Sequence, residues 1–306
     1  MRVLLTGASG QVGTELARCL QGRVELAALD RRALDLSDAA AVSRAVREFK
    51  PALILNAAAY TAVDDAETHE AEAAAINAKA PAVLAAEARA SNALLVHYST
   101  DYVFDGAKRS PYVETDATGP AGAYGRTKLE GEQAVAASGC DHLILRTSWV
   151  YASHGRNFLL TMLRLAQSKR ELRVVADQRG APTSARELAR ATLKVLGDTG
   201  AAFTQAALEP ARAAKGLYHA AASGSTTWHA FAQQIFSEWS WRQGGGFVSP
   251  RVVPITTAEY PTRALRPAYS VLSCDKLARD FRVSIPGWQS GLGETLNELA
   301  RAGAPA

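Results

Sequence analysis

Short apolar runs that end in small or polar residues recur along the first half of the chain, and the stretches between them carry apolar residues at helical spacing. The first run, residues 1–6, stops at Gly7. The segment Gly7-Ala-Ser-Gly10-Gln-Val-Gly13 then leads into residues 14–20, whose apolar positions repeat with a helical period. This order predicts strand, tight loop, helix. A second run over residues 24–29 ends in Asp30, and further strands are predicted at 52–59, at 92–99 with Thr100 directly after, and at 142–148. Ala-rich helical stretches lie between them. Such alternation predicts an α/β fold, a doubly wound parallel sheet with helices on both faces.

Beyond residue 150 the alternation loosens, and segments rich in Pro, Gly and aromatics appear, among them Trp239-Ser-Trp-Arg-Gln-Gly-Gly-Gly246. The expected organisation is a dinucleotide-binding Rossmann domain over residues 1–150 and a smaller, irregular C-terminal substrate lobe over 151–306, with some segments returning to the first domain. The glycine triplet 244–246 reads as a mobile turn.

Ligands of such sheets bind outside the carboxyl ends of the strands, which gathers residues 56–59, Thr100 and residues 147–151 around one crevice. Ala57, Ala58 and Ala59 are small enough for a cofactor to lie against the backbone. Gly7, Gly10 and Gly13, with Gln11 and Val12 between them, sit at a strand–helix junction. Glycines there let the backbone approach a pyrophosphate, and the helix N-terminus offers free N–H groups and a favourable dipole. Asp30 stands where an acid hydrogen-bonds the ribose hydroxyls of NAD, yet Arg31 and Arg32 follow and suit a 2′-phosphate. NADPH and NADH both stay open.

Tyr124 and Lys128 are four apart in Ala-Tyr-Gly-Arg-Thr-Lys, so a helix puts phenol and ammonium on one face. A phenol with an ordinary pKa near 10 is a poor proton shuttle at neutral pH, and a neighbouring cation lowers it. Thr100 adds a hydroxyl able to hold a substrate carbonyl oxygen. Together with the glycine loop, these residues point to ketone reduction by a nicotinamide cofactor.

A chain of 306 residues with 48% hydrophobic content can bury a large core. Its formal charge of +4 is mild and dispersed, which argues against nucleic acid as a partner and suits a small anionic ligand. Cys19, Cys140 and Cys274 have neither metal nor redox spacing, which fits a reducing compartment. No apolar run approaches bilayer length, and the first strand starts at the first residue, so no membrane association and a cytoplasmic protein are expected. His97 and His219 read as satisfied strand histidines.

Gly7-x-x-Gly10-x-x-Gly13, Asn56-Ala-Ala-Ala-Tyr-Thr-Ala-Val-Asp64, Ser99-Thr-Asp-Tyr-Val-Phe-Asp-Gly106, Tyr124-Gly-Arg-Thr-Lys128, Arg146-Thr-Ser-Trp-Val-Tyr151 and Gly180-Ala-Pro-Thr183 closely resemble the dTDP-4-dehydrorhamnose reductases, which belong to the extended short-chain dehydrogenase/reductases. The resemblance runs from the first residue to Trp288. It implies hydride transfer from NADPH or NADH to C4 of dTDP-4-dehydro-β-L-rhamnose, the last step of dTDP-L-rhamnose formation. Carried over by motif, Tyr124 is the general acid, Lys128 lowers its pKa and bonds the nicotinamide ribose, and Thr100 takes the usual serine's place. The resemblance further implies Asp101, Tyr102, Phe104 and Trp149 in the sugar pocket, and Asp35 and Leu36 at the adenine end of the cofactor.

Two departures stand out. Tyr269 occupies a position in Arg266-Pro-Ala-Tyr-Ser270 where relatives often carry Asn. Some members form a homodimer bridged by magnesium through glutamates. Glu15 and Glu294 match two such ligands, but Arg186 stands where the third acid often lies, so no tight Mg2+ site is expected and dimerisation stays open. A nucleotide-sugar dehydratase, by resemblance, needs an acid where Tyr102 stands, and an epimerase shares Tyr124 and Lys128 without the full Thr-Asp-Tyr-Val-Phe-Asp-Gly block. A non-catalytic rival is an NADP-binding subunit like the regulatory β subunit of methionine adenosyltransferase.

Overall fold

The computed structural model describes residues 1–198, 200, 203–244 and 246–303, so Gly245 of the glycine triplet lies outside the described residues. Six parallel strands make the main sheet: β1 (Arg2–Thr6), β2 (Glu25–Leu29), β3 (Leu53–Asn56), β4 (Leu94–Thr100), β5 (His142–Thr147) and β6 (Gly216–His219). Their spatial order is β2-β1-β3-β4-β5-β6. The chain reverses direction of travel between β1 and β3, and ligands of open α/β sheets bind at such a switch point.

Both faces of the sheet are covered, and this explains why its strands are apolar runs rather than alternating ones. Side chains on successive residues still part to opposite faces. Val3, Leu5, Leu55, Val96 and Leu145 join one buried cluster, which continues into Leu16 of α1 (Gln11–Leu20) and Leu188 of α5 (Ala185–Val195). Leu4, Ile54, Leu95 and Ile144 join the other, against Val42 of α2 (Ala39–Phe49) and Leu84 of α3 (Ala80–Ser91). The helix α4 (Ala123–Ala137) packs on α3 and on the short π-helical stretch Ala75–Lys79, where Gly131 leaves no room for a Cβ: one would lie 2.0 Å from the Asn77 carbonyl oxygen.

Boundaries differ from the sequence pattern in ways that matter. The third strand stops at Asn56, leaving Ala57, Ala58 and Ala59 in the loop after it, and Thr100 is itself the last residue of β4. β6 comes from the second half of the chain and hydrogen-bonds β5. Among the described residues, the rest of that half carries only two-stranded sheets, including a parallel pair, Glu171–Val175 with Arg251–Ile255, that packs on α6 (Trp228–Arg242), which in turn meets α7 (Trp288–Arg301). The three cysteines are free thiols, and among the described residues no helix is long and apolar enough to cross a membrane.

Candidate active site

The loop after β1 is shaped by glycine. Gly7 has φ +72°, and a Cβ on it would lie 2.6 Å from the Ala58 nitrogen. A Cβ on Gly13 would lie 2.0 Å from the Gly7 carbonyl oxygen. The start of α1 therefore rests directly on the loop after β1, and that loop on the one after β3, approaches that only hydrogen side chains permit. No side chain caps α1 at Gly10, and no acid stands in its first turn, so its leading N–H groups remain free for an anion. Gln11 reaches outward, accepting from Asn157 Nδ2 at 2.8 Å, and Val12 packs on the core. This cradle, with Ala57–Ala59 beside it, fits a dinucleotide pyrophosphate.

At the far end of that groove Asp30 closes a turn: its Oδ1 accepts from the N–H groups of Arg32 and Ala33, both at 3.0 Å. Arg31 and Arg32 are exposed next to it. Asp35 takes hydrogen bonds from the N–H and hydroxyl of Ser37, which hold its carboxyl below the usual range. Leu36 is 8% exposed within the core. Its side chain therefore packs into the core.

Tyr124 and Lys128 both lie on α4, as their spacing predicts, but the ammonium does not turn to the phenol. Lys128 is 2% exposed, and its Nζ donates to the Tyr98 carbonyl oxygen on β4 at 2.6 Å. Burial pushes Lys128 down to about 8, with Glu132 one turn on opposing the shift. Tyr124 is pushed up to about 12 by burial, the Thr100 hydroxyl opposing and Asp101 adding to it. The expectation that Lys128 lowers this phenol is therefore not met in the protein alone, because desolvation dominates and the cation is engaged elsewhere. Glu132 is held by Arg146 of β5 in a buried ion pair at 2.6 Å, which locks α4 against the sheet.

The segment after β4 meets α4 closely, since a Cβ on Gly125 would lie 2.2 Å from the Tyr102 carbonyl oxygen. Tyr102 sets its ring edge-on to Tyr124, centroids 5.5 Å apart. Thr100 Oγ1 accepts from the Tyr102 N–H at 3.2 Å and donates to Asp101 Oδ1 at 3.1 Å. Asp101 is 1% exposed, and burial raises its carboxyl to about 6 against the opposing hydroxyls of Ser270, Thr100 and Ser148. Its Oδ2 is buried without a hydrogen bond of normal geometry, as are the hydroxyls of Ser99, Thr147 and Ser148, although the Ser148 hydroxyl lies near enough to act on the Asp101 carboxyl. So many orphaned polar atoms at strand ends mark a place built for a polar ligand.

Two expectations need correcting. Phe104 is 1% exposed, stacked on Tyr112 at 4.1 Å with the Arg146 guanidinium 5.0 Å away, so it underpins the pocket from the core. Arg186 donates to Glu15 at 3.2 Å and to Glu298 at 2.6 Å, whereas Glu294 pairs with Arg190. Glu298, not Glu294, shares a cluster with Glu15, and an arginine fills it. Among the described residues no group of three His, Cys, Asp or Glu is placed to hold a metal.

Trp149 has φ +48°, a backbone state that costs an L residue roughly 1–2 kcal/mol. His97 accepts from Asn56 and His219 bonds the Ser273 carbonyl, and burial holds both well below ordinary imidazole values. Sequence reasoning missed Asn77, which bonds Tyr60 through both its N–H and C=O and reaches Thr127 on α4 at 3.2 Å. It also missed Asp64, whose carboxylate holds Arg266 at 2.7 Å and fastens the 260–270 loop beside Tyr102. Neither residue carries a spacing signal.

A parallel sheet with a glycine cradle at its switch point, and Thr100 at the end of β4 beside a helix that carries Tyr124 and the buried Lys128, define the class: a Rossmann-fold reductase of the extended short-chain type. The chain belongs to the RmlD substrate binding domain family, which matches residues 1–301. It is 47% identical over 305 residues, 98% of this chain and 99% of the relative, to a dTDP-4-dehydrorhamnose reductase of Burkholderia thailandensis. Among solved structures it is similar to the dTDP-4-dehydrorhamnose reductase of Clostridium acetobutylicum, with a TM-score of 0.87, 39% identity and coverage of 98% and 99% of the two chains. It is also similar to the Bacillus anthracis enzyme in complex with NADP, with a TM-score of 0.87, 34% identity and coverage of 97% and 99%.

Proposed function

We propose that the chain reduces the C4 keto group of dTDP-4-dehydro-β-L-rhamnose to give dTDP-L-rhamnose, with NADPH as the preferred donor. The observation that carries the reading is the meeting of Thr100, Asp101, Tyr102 and Tyr124 where β4 ends, in a chain with near full-length kinship to named reductases. Gly7, Gly10, Gln11, Val12 and Gly13 would hold the pyrophosphate, Ala57–Ala59 the path along the switch point, and Arg31 with Asp30 and Asp35 the adenosine end. When bound, the reduced nicotinamide supplies the hydride.

With its pKa near 12, Tyr124 stays protonated at neutral pH, which suits a general acid rather than a base. Its proton goes to the oxygen developing on C4, and an alkoxide is far more basic than a phenolate. Thr100 has one proton and donates it to Asp101. It holds the substrate carbonyl only by turning that proton away, so Asp101 sets when Thr100 is available. Lys128, fastened to the Tyr98 carbonyl of β4, would offer its cation to the ribose hydroxyls of the bound cofactor. Tyr102 and Trp149 supply apolar walls, and Asp101 the polar edge.

The test is loss of reduced-nicotinamide absorbance when purified protein meets dTDP-4-dehydrorhamnose, with NADPH and NADH in parallel. Turnover giving dTDP-L-rhamnose supports the reading. Tight NADPH binding with no turnover of any 4-keto sugar nucleotide would favour a regulatory binding protein.

A further inference from the structure

Trp149 keeps a left-handed backbone that persists only where its surroundings hold it. Its indole stacks face to face on Trp228, centroids 3.5 Å apart and planes 5° from parallel. Gly180 leaves the space its edge needs, since a Cβ there would lie 2.4 Å from Cε2 and 2.6 Å from Nε1 of Trp149. Trp228 is itself tied down: Nε1 donates to Gln178 Oε1 at 3.2 Å, and Phe158 packs on its ring at 4.6 Å.

The chain brings these pieces together through a two-strand ladder in which Thr226 faces Gly180 and Thr227 faces Arg179. Trp228 follows at once as the first residue of α6, whose opening turn is capped by the Thr227 hydroxyl. On the other side Ser148 precedes Trp149, and its hydroxyl faces Asp101. The Trp149 backbone therefore leaves β5 directly beside the residue that meets Asp101.

We infer that Trp228 is a positioning residue for the sugar end of the pocket: with Gly180, it clamps Trp149 as a rigid apolar wall against which the C–H face of a deoxysugar packs. The inference rests on the reductase reading above. Trp228 lies 79 positions from Trp149 and acts only through it. Its effect falls on sugar binding, not on hydride donor binding or on the proton donor.

The test uses the full chain. Stacked indoles whose transition moments are turned against each other within their planes couple and give a circular-dichroism couplet, which Trp228→Ala and Trp149→Phe each abolish. Trp228→Ala is expected to raise KM for the sugar nucleotide about tenfold with kcat close to wild type and NADPH affinity unchanged. Trp228→Tyr, which keeps a stacking plane, restores most of the KM. A lost couplet with KM unmoved overturns the inference, as does a KM rise matched by weakened NADPH binding that tyrosine does not rescue. Should Trp228→Ala fail to fold, Gly180→Ala leaves Trp228 in place and displaces Trp149; the same KM rise supports the inference and an unchanged KM overturns it. Absence of turnover in the wild-type protein strikes the reductase reading itself, takes this inference with it, and is seen before any variant is made.

Discussion

Lys128 donates to the Tyr98 carbonyl at 2.6 Å, so the cation of the Tyr-x-x-x-Lys pair is anchored to the strand that ends in Thr100 rather than to the Tyr124 phenol. Its ammonium is buried and its pKa stands near 8. If catalysis needs that charge, kcat/KM falls as pH rises through about 8, because the free protein then loses the proton. Lys128→Met, which keeps the stem and removes the charge, is expected to lose this alkaline limb together with most of the rate. A wild-type profile flat to pH 9.5 or so would deny Lys128 an electrostatic role.

Tyr124→Phe retains the ring that meets Tyr102 edge-on and removes only the hydroxyl. Turnover is expected to fall by about 10²–10⁴-fold, the usual worth of a general acid, with NADPH affinity and Tm near wild type. Steady-state kinetics and a cofactor titration check this. A variant with most of its rate would assign the proton donor elsewhere.

Asp101 sits near 6 instead of the ordinary 3.8 because burial penalises its charge. The folded state therefore keeps a proton that the unfolded chain releases between these values. That stability is fully present below pH 3.8 and is lost as pH rises through about 6. Asp101→Asn has no such proton to lose. The stability of the variant relative to wild type should climb by on the order of 2–3 kcal/mol from pH 4 to pH 7, whatever constant offset the amide introduces. Denaturant midpoints across that range would show a parallel pair of curves if the carboxyl were not strained.

Arg186 occupies the space between Glu15, 3% exposed, and Glu298. With that cation in place, chelation by EDTA should leave both activity and Tm unchanged. Arg186→Ala leaves Glu15 with Arg18 at 2.7 Å and is expected to lower stability by roughly 1–2 kcal/mol. A Tm that drops with EDTA in the wild-type protein would show that a divalent ion is bound.

Much of the scaffold could be read from the chain because its signals are local. Gly7, Gly10 and Gly13 at a strand–helix junction announce a close backbone approach, and Tyr124 and Lys128 share a helix face by spacing alone. What could not be read depends on partners distant in sequence. Phe104 and Tyr102 look alike as aromatic residues of one motif, yet Tyr112 and Arg146 draw Phe104 into the core while Tyr102 meets Tyr124. Lys128 reads as the phenol's neighbour because spacing says nothing of the Tyr98 carbonyl across the β4–α4 interface. The Trp149–Trp228 stack depends on a two-residue ladder too short to leave a pattern. Leu36 shows the same limit, since a short apolar residue after a turn serves core and cofactor groove equally well by composition.

The most direct test of the central claim follows the atom transferred. The protein is incubated with dTDP-4-dehydrorhamnose and NADPH deuterated at the nicotinamide C4, and the product is examined by NMR. Deuterium at C4 of a dTDP-L-rhamnose product, formed about 10²–10⁴-fold more slowly by Tyr124→Phe, is the predicted result. Cofactor bound without deuterium transfer, or deuterium at another sugar carbon, would contradict it.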